Sequence, residues 1–156
     1  MTRILVAGIG NLFFGDDAFG TEVARRLAAD PPDGARVADF GIRTIHLAYE
    51  LLQPLDLCVM VDCMSRGGTP GTLYVIEPDV DETLPGITAD AHSMSVPLVL
   101  SAVRDLGGQL PRTLVVGCEP VSTEPGIGLS AVVANAVPGA IDLIRDLVAS
   151  SQEGTP

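Results

Sequence analysis

Short apolar runs alternate along the chain with stretches whose hydrophobic residues recur every three or four positions. "RILVAG" (Arg3–Gly8) is an uninterrupted apolar run of strand length, as expected of a strand buried on both faces. "DAFGTEVARRLAAD" follows, with Phe19, Val23 and Leu27 on one helical face and Pro31, Pro32 and Gly34 closing it. "ARVADFG" (Ala35–Gly41) reads as a short strand, and "TIHLAYELLQ" as a helix ended by Pro54. "LDLCVMVD" (Leu55–Asp62) is the strongest strand signal in the chain. "GTLYVIEP" (Gly71–Pro78) is a further strand, and an acidic, proline-containing loop then runs to about Ser93. "SVPLVLSAVRDL" reads as a helix that tolerates Pro97 in its first turn. "RTLVVGCEP" (Arg112–Pro120) is the last strand. "LSAVVANAVPGAIDLIRDLVAS" closes the chain as a helix that Pro138 and Gly139 are expected to kink or split.

Strands alternating with helices predict an α/β fold: a three-layer sandwich around a mostly parallel twisted sheet of about five strands, with helices on both faces. One connection breaks the alternation. Only eight residues, Cys63 to Pro70, join two strands, and a parallel crossover needs roughly a dozen or more. The Gly71–Pro78 strand is therefore expected to be antiparallel, near a sheet edge. The pattern implies one domain over residues 1–150, with "SQEGTP" (151–156) expected to be a frayed tail.

Composition narrows the function classes. Hydrophobic residues make up 47% and charged ones 19%, which fits a folded core. The formal net charge is -11. That argues against nucleic acid and anionic membrane as partners, since both select a basic footprint. Three cysteines, Cys58, Cys63 and Cys118, make no disulfide framework, so a cytoplasmic location is expected. "MTRILVAGIGN" reads as a first strand rather than a signal peptide, and no apolar run approaches the ~18 residues of a membrane span.

In parallel sheets of this kind, ligands bind beyond the carboxyl ends of the strands. The residues there are Gly8, Gly10, Asn11, Asp16 and Asp17 after the first strand, and Asp39 and Gly41 after the second. Asp62 and Cys63 follow the third, and Cys118 and Glu119 the last. The glycine-rich opening lacks the third glycine of a dinucleotide fingerprint, and no phosphate-loop lysine motif is present. A nucleotide-binding domain is nonetheless one alternative that the alternation allows. Two carboxylates beside a pyrophosphate would repel it, so an open divalent-cation site formed by Asp17, Asp62 and the loop residue His92 fits better. Each residue also has a plainer reading. Asp16 suits a helix N-cap, Asp17 could complement a helix dipole, and His92 could be a solvated loop residue. Asp62 resists such a reading, because a carboxylate ending an apolar strand is costly unless used. Glu119 could join the acidic rim or be solvated. No serine nucleophile elbow occurs.

Four segments in order, "GIGNLFFGDDAFG", "VDCMSRGGTPGTLYVIEPD", "AHSMSVPLVLSAV" and "VGCEPVSTEPGIGLS", resemble the nickel-iron hydrogenase maturation endopeptidases. The resemblance extends from Arg3 to about Val148, with a looser match at "DFG", where Phe40 replaces a glycine of the family pattern. It implies an endopeptidase that removes the C-terminal extension of a hydrogenase large-subunit precursor after nickel insertion. The catalytic and metal-binding residues carried over are Asp17, Asp62 and His92. The nickel is supplied by the substrate, and no nucleotide is required. A nickel-binding chaperone-like module without hydrolysis is the alternative within the same chemistry.

Overall fold

The computed structural model describes residues 3–78 and 95–153. Five strands form one sheet: β1 (Ile4–Ile9), β2 (Ala35–Gly41), β3 (Leu57–Cys63), β4 (Leu73–Ile76) and β5 (Thr113–Cys118). Their order is β2-β1-β3-β5-β4. Every pairing is parallel except β4 with β5, so the short Cys63–Pro70 connection does reverse the chain and puts β4 at an edge.

Four α-helices cover the sheet: α1 (Phe19–Ala28), α2 (Thr44–Leu51), α3 (Ser95–Asp105) and α4 (Ala131–Glu153). The alternation of side chains along each strand divides the core in two. Val6, Val59, Val61 and Val116 pack with Phe19, Val23 and Leu27 of α1 and with Val137, Ala140 and Ile144 of α4. Leu5, Ala7, Met60 and Val115 pack on the opposite face with Leu47 and Leu51 of α2 and Val99 and Val103 of α3. β1 and β3 are buried throughout their apolar runs, which is why they lack an alternating polar pattern.

Three local expectations need correction. The helix expected from Asp17 starts instead as a 3-10 turn, Gly15–Ala18, that passes into α1 at Phe19. Pro138 does not split the closing helix, which runs unbroken from Ala131 to Glu153. Val137, Ala140 and Ile144 bind both sides of the proline to one core, and packing outweighs the lost backbone bond. Ser151–Glu153, expected to fray, are the last residues of α4, and Gln152 Nε2 donates to the Asp33 carbonyl at 2.7 Å.

The sheet brings the first helix close to the strand ends. A Cβ at Gly20 would collide with the carbonyl oxygens of Val61 and Ile9, and one at Gly8 with the carbonyl of Gly20. Only glycine allows α1 to lie this close to β1 and β3. The turn before α1, which carries Asp16 and Asp17, is thereby set against the end of β3, which carries Asp62.

Candidate active site

Asp17 and Asp62 come from different strand ends and are both 3% exposed. Asp17 Oδ2 accepts the backbone N–H of Asn11 at 3.1 Å, and the Asp17 carbonyl accepts the same N–H at 3.3 Å. This closes the loop after β1 back onto its own end. Asp62 Oδ1 accepts the N–H of Cys63 at 2.8 Å. Burial pushes the Asp62 carboxyl well above the usual carboxylate range, and the Asp17 charge pushes it further, against a smaller opposing effect of the Cys63 N–H. The two groups are thus close enough to repel, in surroundings that screen them poorly.

His92, the third residue expected at the site, lies outside the described residues. Among the described residues, no group of three His, Cys, Asp or Glu side chains could hold a metal ion. The pair that is present suits a divalent cation chemically. Two buried carboxylates supply hard oxygen donors, and a cation between them would reverse the repulsion that raises Asp62.

Asp16 is not a helix cap. The 3-10 turn has no side-chain capping bond, and Asp16, 1% exposed, reaches across the chain instead. Asp16 Oδ2 accepts the N–H of Val121 at 2.8 Å, that of Ser122 at 3.2 Å and the hydroxyl of Ser130 at 2.9 Å. Its Oδ1 accepts the N–H of Ser130 at 2.7 Å. Ser130 Oγ in turn accepts the Val133 N–H at 3.4 Å, at the start of α4. Asp16 therefore latches the loop after β5 and the head of α4 onto the turn that holds Asp17.

Glu119 is also a structural anchor rather than a solvated rim group. It is buried, and its Oε1 accepts the N–H groups of Arg66 and Gly68 at 2.9 and 3.0 Å and the Tyr74 hydroxyl at 2.7 Å. These bonds hold the loop that leaves Asp62. Asp39 likewise shapes its corner: its Oδ1 accepts the Gly41 N–H at 2.9 Å and the Thr21 hydroxyl at 3.1 Å. Phe40, the departure from the family pattern, is buried in the core below that corner.

The thiols are poor nucleophiles. Cys63 and Cys118 are register partners at the ends of β3 and β5 and are not disulfide-bonded. Burial, followed by the charges of Asp62 and Asp17, holds the Cys63 thiol far above its ordinary range. Burial and the nearby Asp16 push Cys118 up to about 11, and burial alone pushes Cys58 up to about 12. All three are protonated at neutral pH, and the thiolate is the reactive form. The cleft lined by Arg3, Arg36, Pro54, Leu55 and Gln152 opens at the amino ends of the strands and shares no residue with the carboxylate pair.

The family model described as hydrogenase maturation protease matches residues 21–147. The chain belongs to the hydrogenase maturation protease family. A Methanocaldococcus jannaschii protein named, provisionally, as a hydrogenase maturation protease is 39% identical over 149 residues, covering 90% of this chain and 93% of that protein. The hydrogenase 2 maturation protease of Escherichia coli K12 is 30% identical over 148 residues, covering 91% and 88%. The solved structure of the hydrogenase maturating endopeptidase HybD from E. coli superposes with a TM-score of 0.78 at 27% identity, covering 98% of this chain and 94% of that one. Membership of the hydrogenase maturation proteases makes this chain a peptidase, which sets aside the alternative of a module without hydrolysis. Among the described residues, no helix is long and apolar enough to cross a membrane.

Proposed function

We propose that this peptidase removes the C-terminal extension of a nickel-iron hydrogenase large-subunit precursor, and that it reads the precursor's nickel as the sign that the precursor is ready. The reading rests on one observation: two carboxylates from separate strand ends are buried beside each other at the ligand-binding edge of the sheet, at a cost expressed in the raised Asp62 pKa. Such a pair is unfavourable in the free protein and becomes favourable when a divalent cation arrives. Asp17 and Asp62 hold the substrate's nickel, and His92 is the third ligand by its place in the family pattern.

Bound metal supplies Lewis-acid polarisation at the scissile carbonyl or the attacking water. A carboxylate beside the bound metal is placed to take a proton from that water and return it to the leaving amine. The thiols, held protonated chiefly by burial, are poor nucleophiles, and the reading gives no step to a cysteine. The metal arrives with the substrate, so the isolated protein binds nickel weakly. Asp62→Asn keeps the acceptor for the Cys63 N–H, so the variant folds but does not process precursor. Mass spectrometry of the precursor after incubation measures this. Processing at the wild-type rate by the variant would remove Asp62 from the mechanism.

A further inference from the structure

Two loops beside the carboxylate pair form a single stiff platform. Gly15 N–H donates to the Gly126 carbonyl and Gly126 N–H to the Phe13 carbonyl, each at 2.9 Å. Asp16 N–H donates to the Ser122 carbonyl at 3.0 Å, and the Asp16 carboxylate adds its four bonds to the Val121, Ser122 and Ser130 segment. Asn11 Oδ1 accepts the Phe13 N–H at 2.9 Å, so Phe13 is held through both its N–H and its carbonyl. A backbone fixed this thoroughly ordinarily serves to bury side chains. Here it presents them to water: Phe13 is 65% exposed and Ile127 81%, with Leu12 and Val121 exposed on the same two loops.

Scattered single apolar residues on a surface are ordinary, but a group gathered on two loops that are hydrogen-bonded to each other next to a site marks an interaction surface. We propose that Leu12, Phe13, Val121 and Ile127 form the docking platform for the substrate polypeptide, seating an apolar segment next to the scissile bond. This rests on the proposed processing function. Two features select that occupant. The platform is continuous with the site, because the Asn11 N–H that begins its first loop bonds Asp17 itself. Its charge is one-sided: Glu124 lies between Val121 and Ile127, and neither 10–18 nor 119–130 contains Lys or Arg in a chain of net charge -11. An apolar segment flanked by Lys or Arg is the complementary sequence. Because the loops are already ordered, binding does not carry the cost of fixing them.

The test compares wild type, Phe13→Ser/Ile127→Ser, and Leu106→Ser as a control at an exposed apolar position at the far end of α3. Binding of nickel-loaded large-subunit precursor is measured by biolayer interferometry, and processing by mass spectrometry. The double variant should weaken binding by about tenfold or more, as loss of two interface anchors does. Its processing defect should lie in KM, with the melting temperature unchanged, and Leu106→Ser should match wild type in binding. Unchanged affinity in the double variant overturns the platform, as does failure of wild type to bind precursor. A wild-type dimer that the double variant converts to monomer overturns it too, and assigns the surface to self-association. If wild type binds precursor but leaves it whole, the processing function fails while the binding comparison still decides the platform.

Discussion

In metal-free protein, Asp62→Asn should raise stability, and the gain should depend on pH in a defined direction. In the unfolded chain Asp62 ionises near the ordinary value of about 3.9. In the fold its carboxyl is held well above that, first by burial and then by Asp17. Below the unfolded value both states carry the proton, and no charge is buried. As pH rises, the unfolded chain ionises while the folded one lags, so stability falls until the folded pKa is passed and is constant beyond it. Asparagine never ionises and can still accept the Cys63 N–H, so it escapes this loss. Each unit of upward displacement corresponds to about 1.4 kcal/mol. For a chain of this size, that is roughly 3–5 °C in melting temperature per unit. Calorimetry in the presence of a chelator, at intervals from pH 3 to pH 8, should show the two proteins melting together at the acid end. The variant should lead by at least this margin at pH 8. A second substitution, Asp17→Asn, should shrink the lead, because it removes the repelling neighbour. A lead of equal size at both ends of the range, or none at pH 8, would mean that Asp62 is not a charge burdened by burial and by Asp17.

Asp16→Ala should lower the unfolding free energy by roughly 2–4 kcal/mol, since it removes four hydrogen bonds to a buried carboxylate, three from backbone N–H groups and one from the Ser130 hydroxyl. Urea unfolding measures the change, and hydrogen exchange should rise at residues 121–130; a variant as stable as wild type would refute the latch. Iodoacetamide at pH 7.5 should leave the folded protein unmodified and label all three cysteines once it is unfolded, as read by intact mass. Rapid labelling of native Cys63 would contradict the protonated thiol that burial, and then its acidic surroundings, impose.

The layers of this fold were legible because each is written in local periodicity. The apolar runs at Arg3–Gly8 and Leu55–Asp62 became central parallel strands, and an eight-residue connection was too short for anything but the antiparallel edge. Asp62 stood out for a related reason, as a carboxylate at the end of an apolar run. Asp16 and Glu119 could not be read in this way. Their partners lie 105–114 residues away for Asp16 and 45–53 for Glu119, and nothing local distinguishes a carboxylate that will clamp distant backbone from one that caps a helix or faces water. The continuity of α4 through Pro138 was hidden for the same reason, since it is held by packing that includes α1, from the other end of the chain. Gly20 was legible as a glycine of the family motif, but its role, a contact with the Val61 and Ile9 carbonyls, exists only once β1, β3 and α1 are assembled.

The most direct measurement is to incubate the purified wild-type protein with nickel-loaded and nickel-free forms of a large-subunit precursor and weigh both products by mass spectrometry. Loss of a C-terminal peptide from the loaded form alone is the expected result. Equal trimming of both forms, or of neither, would contradict a carboxylate pair that acts by engaging the substrate's nickel.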